Sequence, residues 1–237
     1  MPVFELVDDL IFPHPSLADK DGLLAYGGDL SVDRLLLAYT NGIFPWYSDD
    51  SPILWWFTDP RMVLFPEKLK ISDSFKQSIK SRKFTVTFDN CFDKVVENCA
   101  RSPRQGDNGT WITNEMKEAY SGLHKEGFAH SVETWTNGEL VGGLYGVSLG
   151  RVFYGESMFY KVTDASKVAL FYLVQLLKWW NFMVIDAQQD TPHLRKMGAE
   201  LIPGNDFLKI LEKSSEYSSK RGKWDIDSEW IRKNINI

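Results

Sequence analysis

ELVGGLYGVSLGRVFYGESMFYKVTDASKVALFYLVQLLKWWNFMVIDAQQ, residues 139–189, decides the fold. Two long apolar runs meet at a Ser-Leu-Gly turn, which predicts a continuing antiparallel meander. A solidly apolar stretch over 165–180 predicts a buried helix, and 183–187 a short strand returning beneath it. Just upstream, 130–135 and 139–145 form a hairpin through Asn137-Gly138, a two-residue turn signal. Three polar side chains interrupt these apolar elements: Glu156 in FYGESMF, then Asp186 and Gln188 in VIDAQ. A carboxylate in a strand that should be buried is costly unless it is paired or used. The three together point to a site.

Outward from this stretch the chain divides into three parts. Residues 1–61 form a small N-terminal α/β unit, with Ser31 capping a helix, Asn41-Gly42 ending it and an Asp-Pro turn in WWFTDPR closing the unit. Residues 62–213 alternate strand and helix: strands at 62–65 and 84–88, and helices at 73–80, 89–100 and 113–126. After the central stretch come a helix at 193–197, Leu201-Ile202 and a helix at 207–213. The whole is an α+β layout with a mixed, largely antiparallel sheet. Residues 214–237 are a tail whose polar, serine-rich start reads as a mobile linker to an amphipathic turn at Trp230-Ile231.

Composition sets limits. At 237 residues, 43% hydrophobic and 25% charged, the chain has the make-up of a soluble globular protein. No run reaches the roughly 18 apolar residues of a membrane span. The N-terminus is acidic without a basic start, so no signal peptide is expected. Cys91 and Cys99, about 12 Å apart on a helix, are too distant for a disulfide and suit the reducing cytoplasm. Four scattered histidines have no ligand spacing, so no metal is expected. Net charge is −5, yet residues 66–84 carry six basic against two acidic groups. Lys76, Lys80 and Lys83 would share one face if the helix from Asp73 runs that far; a solvated face reads equally well. Arg101 and Arg104 make a second basic spot.

Strand alternation puts Asp186 and Gln188 on one face, and the roughly 6.6 Å between them requires leaning or a bulge. The same alternation puts Glu156 with Val152, Tyr154 and Met158, while Gly155 leaves room for a close approach. A purely structural reading stays open: Glu156 or Asp186 paired with Arg151 or Lys167, or Asp186 capping the turn at 190–197. No Ser-His-Asp set, nucleophile elbow, P-loop or dinucleotide fingerprint stands out. That leaves direct transfer between two aligned substrates.

GLLAYGGDL, NGIFPWY, WWFTDPR, GTWIT, AHSVETW, ELVGGLYGV, FYGESMF, DASKVAL and IDAQ occur in this order. In that order they resemble the leucyl/phenylalanyl-tRNA–protein transferases over about residues 10–211. The resemblance implies a GNAT-like (N-acyltransferase-like) domain behind the small N-terminal one. It implies transfer of Leu or Phe, with Met as a further candidate, from aminoacyl-tRNA to proteins beginning with Arg or Lys, marking them for N-degron proteolysis. Carried over by residue, Asp186 and Gln188 are the catalytic pair; a bond from Asp186 to the Gln188 amide nitrogen is expected to orient the carboxamide so that its oxygen meets the attacking amine. Glu156 and Asp186 form the acidic acceptor-peptide site. Leu144, Phe153, Gly155, Met158, Leu170 and Ile185 line the aminoacyl side-chain pocket, with Leu144 standing where Met is common. Trp46 and Trp111 hold the 3′-terminal adenosine. Lys76, Lys80, Arg82 and Lys83 face the tRNA acceptor stem. Lys196 and Met197 depart from the family pattern. The partners implied are Leu-tRNA, Phe-tRNA and the acceptor protein, with no cofactor and no membrane, in a cytoplasmic monomer. The rivals are a CoA-dependent N-acetyltransferase, which needs a glycine-rich pyrophosphate loop where residues 160–165 here contain no glycine, and a non-enzymatic tRNA-binding module, which leaves Asp186 and Gln188 without a purpose.

Overall fold

The computed structural model describes residues 3–102 and 112–234. Four short strands, β1 (Phe4–Leu6), β2 (Leu23–Gly27), β3 (Phe44–Pro45) and β4 (Leu54–Trp56), build a small sheet in the order β1-β2-β4-β3. Between β2 and β3 lies α1 (Val32–Thr40). Ser31 caps it by accepting the Arg34 N–H, and Gly42, with φ +72°, turns the chain out of it.

The chain then enters a seven-stranded sheet ordered β11-β5-β10-β9-β8-β7-β6. In chain order its elements are β5 (Arg61–Leu64), α2 (Asp73–Lys80), β6 (Thr85–Phe88), α3 (Phe92–Arg101), α4 (Asn114–Lys125), β7 (Ala129–Thr136), β8 (Glu139–Leu149), β9 (Val152–Tyr160), α5 (Ala165–Trp179), β10 (Val184–Gln188), α6 (Pro192–Lys196), β11 (Glu200–Ile202), α7 (Gly204–Ser215) and α8 (Ser228–Asn234). Every neighbouring pair is antiparallel except β9 and β10, which the α5 crossover joins in parallel. The expected α+β arrangement, with a small leading unit and a mixed, largely antiparallel sheet, is the one observed. Asn137 and Gly138 both have positive φ, as the tight β7–β8 hairpin requires.

The large sheet separates two cores. One face carries α3, α4 and the small N-terminal sheet. The other carries α5, whose buried Val168, Leu173, Leu176 and Leu177 pack on β7 and β8. Each buried side chain of this kind contributes about 1.5–3 kcal/mol.

α2 runs over Asp73–Lys80 as expected, and Arg82 takes φ +53°, so the longer helix that would bring Lys83 onto its face does not form. One local expectation fails. α3 begins at Phe92 rather than Asp89, because Asp89 has φ +51° and turns its carboxylate to cap other groups. The tail is also packed. Ser214 is buried and accepts the Arg151 N–H at 2.7 Å. Trp224 is buried against His130, with centroids 3.7 Å apart and planes at 10°. α8 rests on α5 and β6. A polar composition predicted mobility, but one tryptophan with a matching aromatic partner anchors the segment.

Candidate active site

The site forms where β9 and β10 part. Their parallel pairing stops at Tyr154 and Asp186, and both strands are irregular just beyond that point. In β9 the register against β8 slips between Tyr145 and Gly146, leaving an extra residue on the β9 side. Only glycine permits this slip. A Cβ on Gly146 would come within 2.1 Å of the Tyr154 carbonyl and 2.6 Å of the Phe153 ring. The slip reverses the alternation. Tyr154 packs on the α3/α4 side, whereas Phe153 and Met158 both belong to the α5 side. The expectation that Glu156 and Met158 share a face is thereby corrected. Across the gap, a Cβ on Gly155 would make only ordinary contacts, 3.5 Å to the Asp186 carbonyl and 3.8 Å to Ile185.

A cavity of about 480 Å³ opens between the parted strands. Leu144, Phe153, Gly155, Met158, Leu170 and Ile185 all line it, as do Glu156, Asp186, Gln188 and Trp46. The six residues expected to form one apolar pocket therefore line a single cavity together with the polar residues. Trp111 and Arg104 lie outside the described residues. Trp46 is 39% exposed and packs at an angle on Trp56, leaving ring surface open. Lys76, Lys80, Arg82 and Lys83 are exposed on and after α2, away from the lining, and Lys76 is paired with Asp73.

Glu156 sits between two phenols. Tyr39 from α1 donates to Oε1 and Tyr120 from α4 to Oε2, both at 2.7 Å, and the two hydroxyls are 2.6 Å apart. The residue keeps partial exposure, and it lines the cavity. Loss of water around it nevertheless dominates and pushes its carboxyl up to about 7, with the two phenol bonds opposing and Asp186 adding to the rise. Both tyrosines are raised well above their ordinary value, first by burial and then by the Glu156 charge.

Asp186 is fully buried and holds Arg61: Nε to Oδ1 at 2.8 Å and Nη2 to Oδ2 at 2.7 Å. This partner replaces both expected ones. Arg151 donates to the Trp180 carbonyl, and Lys167 pairs with Asp164. Nor does Asp186 cap the turn after β10, a place taken by Thr191. Asp186 Oδ1 also accepts the backbone N–H of Gln188 at 3.0 Å. The expected bond from Asp186 to the Gln188 side-chain amide is thus corrected. The bulge at the end of β10 and a φ of +54° carry the Gln188 side chain elsewhere. Its surroundings orient the amide with nitrogen donating to the Gly155 and Ala187 carbonyls, each at 3.0 Å.

Sequence reading missed four residues here. Arg61 stood inside a turn motif, although a cation directly before the apolar MVLF run was a usable signal. Tyr39 and Tyr120 are 117 and 36 residues from Glu156, and only the fold brings them to it. His193, one of the four scattered histidines without ligand spacing, lines the cavity, where burial first and then Lys167 and Lys196 lower its basicity. Among the described residues no group of three or more His, Cys, Asp and Glu is gathered as a metal would need, and no helix is long and apolar enough to cross a membrane.

Comparison with known proteins agrees over nearly the whole chain. Residues 63–212 match the family model of the leucyl/phenylalanyl-tRNA protein transferase, and residues 28–59 match the model of its N-terminal domain. A leucyl/phenylalanyl-tRNA–protein transferase of Maridesulfovibrio salexigens is 55% identical over 226 residues, 95% of this chain and 94% of its own. That of Solidesulfovibrio magneticus is 54% identical over 94% of this chain and 91% of its own. Among solved structures, a GCN5-related N-acetyltransferase from Kribbella flavida superposes with a TM-score of 0.37 at 10% identity, over 70% of this chain and 59% of its own. With both family models matched and relatives above half identity along its length, the chain belongs to the leucyl/phenylalanyl-tRNA–protein transferase family, an aminoacyltransferase family whose substrates are an aminoacyl-tRNA and a protein.

Proposed function

We propose that this aminoacyltransferase moves Leu or Phe, with Met as a further candidate, from tRNA to the α-amine of proteins beginning with Arg or Lys. The products would be marked for N-degron proteolysis. The observation that carries the reading is an apolar cavity of about 480 Å³ with Glu156 on its edge. Six apolar or small residues suit an unbranched-Cβ side chain. Because one methylene is worth only about 1–3 kcal/mol, exclusion of Ile and Val is steric. Glu156 is bonded to two neutral phenols and has no ion-pair partner among the described residues. An acceptor Arg or Lys supplies the missing cation. Asp186 is already matched by Arg61, so recognition of the acceptor charge falls to Glu156.

The reaction needs no enzyme-bound acyl group, because the ester on the ribose is already activated. The acceptor amine, with an ordinary pKa of about 7.7–8.0, bonds to the ester carbonyl carbon. The ribose oxygen then leaves and takes the proton. Gln188, its nitrogen held by two carbonyls, offers Oε1 to the N–H of the incoming amine. Alignment supplies most of the acceleration, and effective molarities of about 10⁵ M or more are known for such geometry. Trp46 and Trp111 stack the terminal adenosine, and the basic groups at Lys76, Lys80, Arg82 and Lys83 follow the acceptor stem by charge.

Incubation with radiolabelled Leu-tRNA and an Arg-initiated peptide tests this, with acetyl-CoA as the alternative donor. Label in the peptide and none left covalently on the enzyme is expected. Acetyl transfer, or leucine trapped on the polypeptide, would count against it.

A further inference from the structure

Gln188 holds an unusual backbone position. It follows the β10 bulge with φ +54°, in a region that non-glycine residues enter only when their surroundings hold them there. Three contacts do so. Its N–H goes to Asp186 Oδ1 at 3.0 Å, its carbonyl accepts from Thr58 Oγ1 at 3.0 Å, and its side-chain nitrogen is fixed by Gly155 and Ala187.

The first contact is only as firm as Asp186, and Asp186 is held by Arg61. Both carboxylate oxygens are engaged by the guanidinium, one through Nε and one through Nη2. Arg61 is itself fully buried. Its Nη2 also donates to the Gly42 carbonyl at 2.8 Å, and the rings of Phe44, Phe57 and Phe207 surround it at 4.9, 5.6 and 4.7 Å. A planar fork held on three sides by rings leaves the carboxylate one orientation. Gly42, Phe44, Phe57 and Thr58 all belong to the N-terminal part of the chain. The small sheet and its connections thus reach Asp186 through this guanidinium, beside the direct bond from Thr58 to the Gln188 carbonyl.

We infer that Arg61 is a positioning residue for transfer: through Asp186 it fixes the left-handed peptide of Gln188 and so sets where the Gln188 carboxamide meets the incoming amine. Asp186, buried with both oxygens taken, acts in this chain of contacts as a strut and neither takes a proton nor binds the acceptor. The inference rests on the proposed role of Gln188 and goes beyond it by naming what holds that residue.

A double-mutant cycle tests it. Arg61→Lys keeps the charge but loses the fork, and it is made in the natural background and with Gln188→Ala. Single-turnover transfer of Leu from Leu-tRNA to an Arg-initiated peptide is measured at saturating concentrations of both. Arg61→Lys is expected to slow transfer by about 10²-fold, the scale of an ångström's misplacement. Peptide KM and Leu-tRNA affinity should stay within about threefold. With Gln188→Ala already present, the same change should cost under about threefold, because the group it positions is gone. A full loss persisting in that background, or no loss in either, overturns the role. Amide hydrogen exchange gives a reading independent of turnover. The Gln188 N–H should exchange at least about tenfold faster in Arg61→Lys, with β7 amides such as Val132 unchanged; equal Gln188 protection overturns the proposal. If the unaltered chain fails to transfer leucine, the functional reading falls, and exchange alone decides Arg61.

Discussion

Glu133 and Glu156 both lie inside strands of one sheet, and only one has the surroundings of a site. Glu133 on β7 is fully buried and takes donors from Thr87, Ser131 and the backbone N–H groups of Asn90 and Cys91. The last two lie just before α3, whose Cys91 side chain makes no capping bond, so Glu133 fixes the chain where it enters the helix. Glu156 on β9 takes two phenols and lines a cavity. Burial raises both carboxyls above their ordinary value. A buried carboxylate in a strand is therefore not itself a signature of function. What separates the two is whether protein donors fill the acceptor positions and whether a void lies alongside.

The sharpest break in this comparison is Glu156→Gln. At pH 8 it should lower kcat/KM for an Arg-initiated peptide by about 10²-fold, the scale of removing one partner of an enclosed charge pair, with Leu-tRNA affinity unchanged. The ratio to the unaltered protein should shrink below pH 7, where Glu156 itself becomes neutral. Stability should move the other way. The folded carboxyl stands at about 7 against an ordinary 4.5, so its contribution is full below 4.5 and lost as pH rises through 7. Glu156→Gln removes that loss and should raise the melting temperature at pH 8 but not at pH 4.5. A variant that melts earlier at pH 8 would make Glu156 a structural group like Glu133.

Glu133→Gln is the matching control and should give the opposite pair of results. Half of the new amide presents N–H groups to donors around β7 and α3, which costs about 1–3 kcal/mol of stability. Peptide kcat/KM, measured below the onset of melting, should stay within about twofold. Loss of transfer without loss of stability would dissolve the distinction.

Much of the fold was legible because it is local. The unbroken apolar run of α5, the Asn137-Gly138 turn and the cap at Ser31 each sit within a few residues of their effect. The pocket-lining residues came from motif resemblance, and the fold gathers them. What escaped was non-local or broke a period. Arg61 and Asp186 are 125 residues apart, and β5 pairs with β10 across two crossovers that no window of sequence reports. The slip opposite Gly146 reversed the face of Met158, since a one-residue shift exchanges the two sides of a strand. The tail looked mobile because composition averages its serines and lysines, while Trp224, Ser214 and α8 fix its path through partners distant in sequence.

That tail closes the structural end of the comparison and gives the smallest expected effect. Asp89 accepts from the Ser131 and Trp224 N–H groups and pairs with His130, whose ring stacks on Trp224. Burial is the largest influence on His130 and lowers its basicity; Asp89 opposes this and His124 adds to it. The sign follows: the contribution of a depressed histidine is present above its ordinary 6.5 and is lost as pH falls through the lower folded value. Melting temperature should therefore decline on the acid side with a component that His130→Phe removes, since phenylalanine keeps the ring against Trp224 and takes up no proton. Glu156 contributes in the reverse sense between pH 7 and 4.5, so the cleanest measurement uses Glu156→Gln as the background for both proteins. The His130→Phe protein should start slightly lower at pH 7.5, having lost the Asp89 partner, and fall less steeply to pH 5. Parallel declines would mean that His130 keeps the same proton affinity folded and unfolded, and that the stack on Trp224 holds the tail without regard to charge.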